Sequence, residues 1–378
     1  MSRTLDSAKA LSEKRSLPSG VMGLDTPCLV VEVEKMERNL RDMADFAKEA
    51  HVALRPHSKT HKSPELALRQ MSYGALGICT QKVSEAEVMV RNGVRNVLIS
   101  NEIIGLGKLR RLANLSKQAD VRVCVDSREG IDQLSQASKE ADVEIKCIIE
   151  VDCGYHRCGV SPREAAQLAK RIVQTKDLVL KGIMGYEGHV GSYPRRHWPM
   201  LVRQAMSVVM NAKKKIEENK IPVEDVVVGG TPTAKISGLY PGVTEITPGE
   251  YIFHDYANVE SGMVRIDDCA LYVSCTVMSK PSPNRIVIDG GLKTFDFDEA
   301  NYPQLRDQLH FRGEFVSFSE EHGVIRLRRN ASKIRIGEIL EFIPYAAGPC
   351  VNLHNQFYLS RNGRVEKAVP ILARGMTT

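Results

Sequence analysis

From about residue 50 to residue 251, short apolar runs alternate with longer segments whose apolar residues recur every three or four positions. The short runs are typical of strands buried on both faces, and the longer segments of amphipathic helices. Eight strands are predicted, at 53–57, 75–80, 94–100, 121–126, 144–151, 180–187, 225–229 and 244–251. Helices are predicted at 34–50, 65–70, 84–91, 108–117, 129–140, 162–175 and 200–219. Eight repeats of strand and helix predict a parallel sheet that closes into a (β/α)8 barrel of the TIM type.

The helical periodicity ends near residue 260, where short strands separated by turn signals take over. Such strands are predicted at 269–279, 285–289, 324–328, 339–344 and 356–360. This pattern is typical of an antiparallel β domain. The predicted fold class is therefore α/β, with a TIM-type barrel followed by an antiparallel β domain. We expect the barrel to span residues 26–260 and the β domain to combine residues 1–25 with 261–378.

The composition narrows the classes of function. The net charge of +6 is small for 378 residues, and the basic residues are scattered, so no nucleic-acid partner is expected. Since no apolar run approaches about 18 residues, no membrane span is expected. The first 17 residues are polar, and the nine cysteines form no CxxC pair. These features predict a cytoplasmic protein with reduced thiols.

Four basic or titratable residues alternate where the first barrel strand ends: Arg55, His57, Lys59 and His61. If the backbone stays extended, these side chains share one face. Burying unpaired charges is costly, so a phosphate or another acidic ligand would explain them. The alternative is a basic strand end that is exposed to solvent.

Two further strand ends carry residues suited to a ligand. Arg157 follows the fifth strand and precedes small residues, and a Gly230-Thr231 turn follows the seventh. The loops after the last two strands of such barrels commonly bind phosphate, and Gly249-Glu250 at the eighth strand completes the same rim. A solvent-exposed arginine and an ordinary tight turn are the alternatives. The chain contains no HExxH or His-x-His metal motif.

Four segments carry a resemblance to a known family: 54–62 (LRPHSKTHK), 77–85 (GICTQKVSE), 157–160 (RCGV) and 321–324 (EHGV). Together they resemble the D-threonine aldolase and D-serine dehydratase family. These are pyridoxal-phosphate (PLP) enzymes of fold type III, similar in architecture to alanine racemase. The resemblance extends from about residue 25 to residue 375.

The resemblance implies roles for individual residues. Lys59 matches the lysine that forms a Schiff base with PLP, and Arg157 matches the arginine that faces the pyridine nitrogen. The other positions implied to contact the cofactor are His57, Gln81, Tyr186, Gly230, Thr231, Gly249 and Glu250. The family also implies a homodimer in which each β domain approaches the partner's barrel mouth.

The chain departs from the family at the metal site. Members carry a His-x-Asp or His-x-Cys motif shortly before an asparagine, and the metal acts on the substrate's β-hydroxyl. With Pro344 and Asn352 aligned, the ligand positions hold Ala346 and Gly348, neither of which can bind a metal. Nearby, Cys350 and His354 are either a shifted metal site or a buried thiol and a structural histidine.

We therefore predict a PLP-dependent lyase that cleaves a β-hydroxy-D-amino acid into glycine and an aldehyde, as D-threonine aldolase does. Lys59 would carry the cofactor, and His61 or His189 would serve as the base in place of the metal. Three alternatives remain open. They are a PLP-dependent racemase or epimerase, a dehydratase of D-serine or D-threonine, and a PLP-binding protein that has lost catalysis.

Overall fold

A computed structural model describes residues 17–296, 301–306, 313–328 and 334–378. Two sheets dominate it, one parallel with eight strands and one mixed with nine. Residues 1–16 of the predicted β-domain range lie outside the described residues. Within the described residues, no helix combines the length and apolar character needed to cross a bilayer.

The parallel sheet forms the predicted barrel. The chain enters through a strand of the other sheet, β1 (Cys28–Glu32), and a long helix, α1 (Val33–Glu49). The barrel strands follow: β2 (Ala53–Leu54), β3 (Ile78–Thr80), β4 (Asn96–Glu102), β5 (Asp120–Val125), β6 (Ile145–Val151), β7 (Leu178–Gly185), β8 (Asp225–Val228) and β9 (Glu245–Ile246). All eight predicted strands are present, which confirms the predicted fold class.

Helices connect successive barrel strands and cover the outside of the barrel. They are α2 (Pro64–Ser72), α3 (Val83–Arg91), α4 (Leu106–Ser116), α5 (Arg128–Ala141), α6 (Pro162–Gln174), α7 (Trp198–Glu217) and the short α8 (Ala234–Ser237). Serine N-caps begin two of them, since Ser127 and Ser161 accept hydrogen bonds from the N–H groups of Gly130 and Glu164. These caps stop each helix from extending back into the preceding loop.

The barrel closes where the chain beyond β2 runs beside β3. Strand β2 pairs in parallel with β9, and a parallel bridge joins His57 to Cys79. The N–H groups of Leu76 and Cys79 donate to the carbonyls of Leu54 and Pro56, both at 2.8 Å. One layer of the barrel interior is formed by side chains from β3 to β8: Cys79, Leu98, Cys124, Ile148, Met184 and Val227. The barrel is therefore a packed core whose functional end lies at the strands' carboxyl termini.

The second sheet follows the barrel in the chain, after a short helix, α9 (Tyr256–Glu260). Its strands are β10 (Leu271–Ser282), β11 (Arg285–Ile288), β12 (Gln304–Leu305), β13 (Gly313–Phe318), β14 (Gly323–Leu327), β15 (Ile339–Ile343), β16 (Gln356–Arg361) and β17 (Arg364–Pro370), with β1 between β10 and β16. A short helix, α10 (Ala347–Val351), interrupts them. Every pairing is antiparallel except that of β1 with β16.

Strand β1 lies inside the range 26–260 that we assigned to the barrel, yet its neighbours belong to the second sheet. Its five residues pair with strands more than 230 positions away in sequence, so no local pattern reveals the partner. The division of the chain into the ranges 26–260 and 1–25 with 261–378 remains our prediction. Both sheets contribute to one continuous hydrophobic core, which fixes the second sheet against the barrel.

Candidate active site

A cavity of about 260 Å³ opens at the carboxyl-terminal end of the barrel. The residues that line it come from the ends of most barrel strands, from α9 and from the start of α10. Its polar lining comprises His57, Lys59, Gln81, Ser100, Glu150, Arg157, Tyr186, Glu187, Thr231, Thr233, Thr247, Glu250, Asp255, Asn258 and Ser261. This is the end of a TIM-type barrel where active sites lie.

Lys59 projects into this cavity from a single 3₁₀ turn, Ser58–Thr60, that follows β2. The side chain is half-buried, and its Nζ lies 5.8 Å from the centre of the Tyr186 ring. Within the described residues, no carboxylate forms a salt bridge with it. An amine that is held in a cavity without a counter-ion is suited to covalent bonding with a carbonyl compound.

His57 holds the turn in place. Its Nδ1 accepts a hydrogen bond from the backbone N–H of Lys59, so the proton of the neutral ring resides on Nε2. Nε2 lies 3.0 Å from Gln81 Oε1 and 3.2 Å from Ser100 Oγ. Burial, and then the charge of Lys59, hold the pKa of His57 well below its usual value. The imidazole is therefore uncharged at neutral pH.

Arg55 and His61 are not on the cavity, which corrects the expectation that four alternating side chains share one face. The 3₁₀ turn ends the extended backbone after His57 and rotates the later residues away. Arg55 is fully buried, and it pairs with Glu245 through Nε–Oε1 at 2.7 Å and Nη2–Oε2 at 3.0 Å. Its charge is thus compensated by the protein and needs no ligand.

His61, one of the two predicted bases, is fully buried and engages both ring nitrogens. Nδ1 accepts from the Ser63 N–H, and Nε2 lies 3.1 Å from Gln70 Oε1. Burial lowers the pKa of His61 to about 4. Since this ring neither lines the cavity nor has a free nitrogen, the geometry argues against His61 as a base.

The second predicted base, His189, lies one aromatic layer outside the cavity. Its ring stacks on Tyr155 with centroids 6.4 Å apart, and Tyr155 meets the Tyr186 ring edge-on at 5.4 Å. The Nδ1 atom of His189 is buried and has no hydrogen-bond partner among the described residues. Its loop neighbours Gly188 and Gly191 do line the cavity. The role of His189 as a base stays a prediction.

Arg157 lines the same cavity as Lys59, and both cations neighbour the Tyr186 ring. Its guanidinium carbon is 4.9 Å from the centre of the Tyr155 ring and 5.1 Å from that of Tyr186. Two ring faces hold the cation by cation–π attraction and leave its donors for a ligand. Burial raises the pKa of Tyr186, so this phenol remains protonated beside the cavity.

The predicted phosphate turns form one unit. The Thr231 hydroxyl oxygen accepts hydrogen bonds from the N–H groups of Gly249 and Tyr251, both at 3.1 Å, and so ties the loop after β8 to the loop after β9. The N–H groups of Thr231 and Glu250 have no acceptor in the described part of the chain. Free N–H groups and a hydroxyl at a glycine turn form a suitable site for a phosphate.

Gly249 packs closely against the turn that carries Lys59. A Cβ atom at this position would lie 3.0 Å from Thr60 Oγ1 and 3.1 Å from the His57 carbonyl oxygen. We expect Gly249→Ala to displace the Lys59 turn and to weaken PLP binding at least about tenfold, measured by titrating apoenzyme with PLP. Gly107→Ala, whose Cβ would meet nothing within 4 Å, is the control and should bind normally. Equal affinities for the two variants would contradict the assignment.

Three carboxyl groups on the cavity lining were not predicted to have a role: Glu150, Glu187 and Asp255. Burial, and then a hydrogen bond with Glu102, raise the pKa of Glu150 to about 9. Burial and the charge of Glu250 raise the pKa of Asp255 to about 7. Glu150 lies near the carboxyl end of β6 and Glu187 follows β7, and this position was a signal in the sequence that could have identified them.

The metal positions contain no ligand set. Ala346 contributes a methyl group to the cavity. A Cβ atom added at Gly348 would lie 3.6 Å from the Lys59 carbonyl oxygen. Cys350 Sγ and His354 Nε2 both donate to the carbonyl of Thr294, at 3.3 and 2.9 Å, and neither lines the cavity. The residues present at the family's position therefore do not fit a metal.

A different group of possible ligands occurs in the described residues, where Glu102, Asp126 and Cys158 bring one ligand atom each within 4.8 Å of the others. Glu102 ends β4, Asp126 and Cys158 follow β5 and β6, and none of the three lines the cavity. Acidic clusters at such loops are common without an ion, and this one offers no support for a metal at the substrate end.

The barrel and cavity define a fold-type III PLP enzyme, because the unpaired Lys59, the ring-stacked Arg157 and the free N–H groups of the phosphate turns fit PLP. The chain belongs to the D-threonine aldolase and D-serine dehydratase family within that class. The model of the alanine racemase N-terminal domain matches residues 31–257, and that of a serine dehydratase domain matches residues 270–360.

Individual relatives agree with this assignment. The chain is 37% identical to D-threonine aldolase of Arthrobacter sp over 94% of both chains. It is 35% identical to 3-hydroxy-D-aspartate aldolase of Paracoccus denitrificans (strain Pd 1222) over 93% of this chain and 92% of the relative. The crystal structure of D-threonine aldolase from Filomicrobium marinum superposes with a TM-score of 0.91 at 34% identity and covers 96% of this chain and 100% of that one.

Proposed function

We propose that this enzyme cleaves β-hydroxy-D-amino acids of the D-threonine type between Cα and Cβ, and that it does so without a metal at the family's ligand positions. The observation that carries the proposal is an unpaired Lys59 in a cavity that is also lined by Arg157, whose guanidinium packs against two tyrosine rings. Both relatives named above as aldolases act on β-hydroxy-D-amino acids, as their names state.

Lys59, Arg157 and the Thr231 turn each have a role in the proposed reaction. When bound, PLP withdraws electron density from the bonds at Cα. Lys59 provides the amine that exchanges with the amino group of the substrate. The guanidinium of Arg157 would donate a hydrogen bond to the pyridine nitrogen of bound PLP, and it would thereby hold the ring orientation without transferring a proton to that nitrogen. The Thr231 turn fixes the phosphate end.

The proposed cleavage involves two proton transfers. The β-hydroxyl proton passes to a base as the Cα–Cβ bond breaks, the hydroxyl carbon becomes the aldehyde carbonyl, and Cα takes up a proton to give glycine. We propose His189 as the base, because its Nδ1 is unengaged and its loop forms part of the cavity wall. This role requires the His189 ring to move inward past Tyr155, since it lies outside the cavity in the structure. His57 stays bonded to Gln81 and serves to position the Lys59 turn.

The metal-free part of the proposal gives a direct prediction. Enzyme that has been treated with EDTA and then reloaded with PLP should retain its rate of acetaldehyde formation from D-threonine, and added Mn²⁺ should change that rate less than about twofold. The reason is that Ala346 and Gly348 offer no side-chain ligands. The measurement is acetaldehyde release coupled to a nicotinamide-dependent reductase, with the coupling enzyme tested separately for EDTA sensitivity.

Loss of cleavage on chelation, with full recovery on addition of Mn²⁺, would contradict the metal-free proposal. The double variant Ala346→His, Gly348→Asp is the matched comparison, since it restores donor side chains to both positions. We expect this variant to bind Mn²⁺ in equilibrium dialysis under conditions in which the natural chain binds none at this place.

The homodimer remains a proposal as well. Tyr155 packs against Arg157 and Tyr186 on one side, yet 40% of its surface is exposed in the single chain. A second copy that covers the barrel mouth would bury this ring and narrow the entrance. Sedimentation of the PLP-loaded enzyme would test this arrangement.

A further inference from the structure

One wall of the active-site cavity, the α9 wall, is formed by α9, by the residues that flank it and by the residue in front of α10. It is lined by Asp255, Ala257, Asn258, Ser261 and Ala346. The wall adjoins the Lys59 turn, because a Cβ atom added at Gly348 would lie 3.6 Å from the Lys59 carbonyl oxygen. In the proposed function, PLP occupies the parts of the lining that contain Arg157 and the Thr231 turn. The α9 wall therefore remains for the substrate.

Asn258 is fixed on the α9 wall by its backbone, and only 5% of its surface is exposed. Its N–H donates to Asp255 Oδ1 at 3.2 Å, and its carbonyl accepts from Ser261 Oγ at 2.9 Å. These bonds use the serine hydroxyl, and Asp255 accepts backbone N–H groups with both carboxyl oxygens. Among the described residues, no acceptor binds Nδ2 of Asn258. This amide NH₂ group is therefore available to a ligand.

His254 determines which end of this amide faces the cavity. Its Nδ1 lies 3.1 Å from Asn258 Oδ1, and its backbone has a left-handed φ of 50°, which side chains rarely adopt. Burial lowers the pKa of His254, so the ring is neutral and donates through Nδ1–H. His254 lines a separate cavity of about 520 Å³ and not the active-site cavity. It thereby directs Oδ1 away from the active site and leaves Nδ2 to face the substrate.

The α-carboxylate of an amino acid substrate needs a donor in this cavity, because burying an unpaired charge is costly. Lys59 and Arg157, the cations on the lining, are used in the proposed function for the covalent bond and for the pyridine nitrogen. A fixed amide donates to a carboxylate, and such charge-assisted hydrogen bonds are stronger than neutral ones. The neighbouring Asp255 opposes this contact only in part, since burial and the charge of Glu250 raise its pKa to about 7.

We propose that Nδ2 of Asn258 binds the α-carboxylate of the substrate, and that His254 is the positioning residue that orients this amide. The inference deepens the proposed function and rests on it. The α-carboxylate is unchanged by cleavage between Cα and Cβ, so Asn258 binds the ground state and the transition state alike. Its loss should therefore raise KM for D-threonine at least about tenfold and leave kcat within about threefold.

The test measures the dissociation constants of D-alanine and D-alaninol from the change in visible absorbance of the PLP-loaded enzyme. Both ligands lack a β-hydroxyl group, and D-alaninol carries a hydroxymethyl group in place of the carboxylate. We expect Asn258→Leu to raise the Kd of D-alanine at least about tenfold and that of D-alaninol by less than about threefold. Asn219→Leu, which replaces an exposed asparagine away from the lining, is the matched control and should change neither.

Two further variants test the proposal without the leucine side chain. Asn258→Asp keeps the size of the side chain and an oxygen for His254, and it should raise the Kd of D-alanine at least as much as Asn258→Leu does, because like charges repel. His254→Phe retains a ring without the Nδ1 donor. It should raise the Kd of D-alanine at least about threefold. Neither variant should change the Kd of D-alaninol by more than about twofold.

The possible failures are distinguishable. Equal rises for D-alanine and D-alaninol in both Asn258 variants would overturn the carboxylate assignment and leave the lyase proposal standing. An unchanged Kd of D-alanine with a raised KM for D-threonine would also overturn it, because Asn258 would then contact the β-hydroxyl group. If neither ligand changed the spectrum of the natural chain, the amine exchange at Lys59 would be wrong, and the proposed function would fall together with this inference.

Discussion

Replacing Lys59 by alanine should abolish the visible absorbance of the lysine-bound cofactor and lower kcat/KM for D-threonine by at least about a thousandfold. This loss corresponds to about 4 kcal/mol of transition-state stabilisation. Lys59 is the one lysine on the cavity lining, and no carboxylate within the described residues holds it in a salt bridge. The expected readouts are an absorption spectrum of the PLP-loaded variant and the rate of glycine formation.

The matched control for this variant is Lys108→Ala, which removes an exposed lysine of α4. Its spectrum and activity should equal those of the natural chain, because it is remote from the cavity lining. An unchanged visible band in Lys59→Ala would mean that another lysine binds PLP. Such a result would remove the basis of the assigned site.

The second large effect concerns stability. Arg55→Met should lower the free energy of unfolding by about 3–5 kcal/mol, because it leaves the buried Glu245 carboxylate without its partner. The pair is 0% and 2% exposed and is bidentate, and Arg55 Nη1 also donates to Asn96 Oδ1. It thereby joins the barrel strands β2 and β9 to β4. The measurement is the shift in urea-induced unfolding of the variant.

Two comparisons make this prediction specific. Arg171→Met breaks an exposed ion pair with Asp132 and should cost less than about 1 kcal/mol. The double variant Arg55→Met, Glu245→Leu removes both buried charges and should recover much of the loss. If Arg55→Met were no less stable than Arg171→Met, the buried pair would not hold the barrel as described.

The regular part of the fold was predictable because its causes are local. Eight nearly continuous apolar runs, such as 147–151, alternate with segments of helical spacing, such as 162–175, and this order leads to a barrel. Strands β1, β12, β13 and β17 were not predicted. Strand β1 is a short apolar run in front of a helix, and its partners β10 and β16 are distant in sequence. Hydrogen-bonded pairing of this kind leaves no periodic signal.

Only part of the candidate site was predictable from the sequence. Lys59, Arg157 and the Thr231 turn were found from motifs, and all lie on one cavity. The prediction that the alternating basic residues share one face was wrong, because a 3₁₀ turn at Ser58–Thr60 ends the extended backbone. Arg55 and His61 have partners within the protein instead, namely Glu245 and Gln70. The strand alternation therefore held only as far as His57.

The position of Asp255 on the cavity lining was not predictable from periodicity. Asp255 reaches the cavity because it caps α9 and also accepts from the N–H of Ala347, 92 residues later in the chain. Only the packing of the second sheet against the barrel brings these residues together. This part of the cavity therefore depends on contacts between distant segments, whereas the proposed cofactor contacts depend on short motifs.

The most direct test of the central claim is a proton NMR time course of D-threonine in heavy water with EDTA-treated, PLP-loaded enzyme. The account predicts that glycine and acetaldehyde appear in equal amounts as D-threonine disappears, while the remaining D-threonine keeps its Cα proton. Loss of the Cα proton signal without glycine or acetaldehyde would contradict it. That result would mean that the enzyme removes the Cα proton and leaves the Cα–Cβ bond intact, as a racemase does.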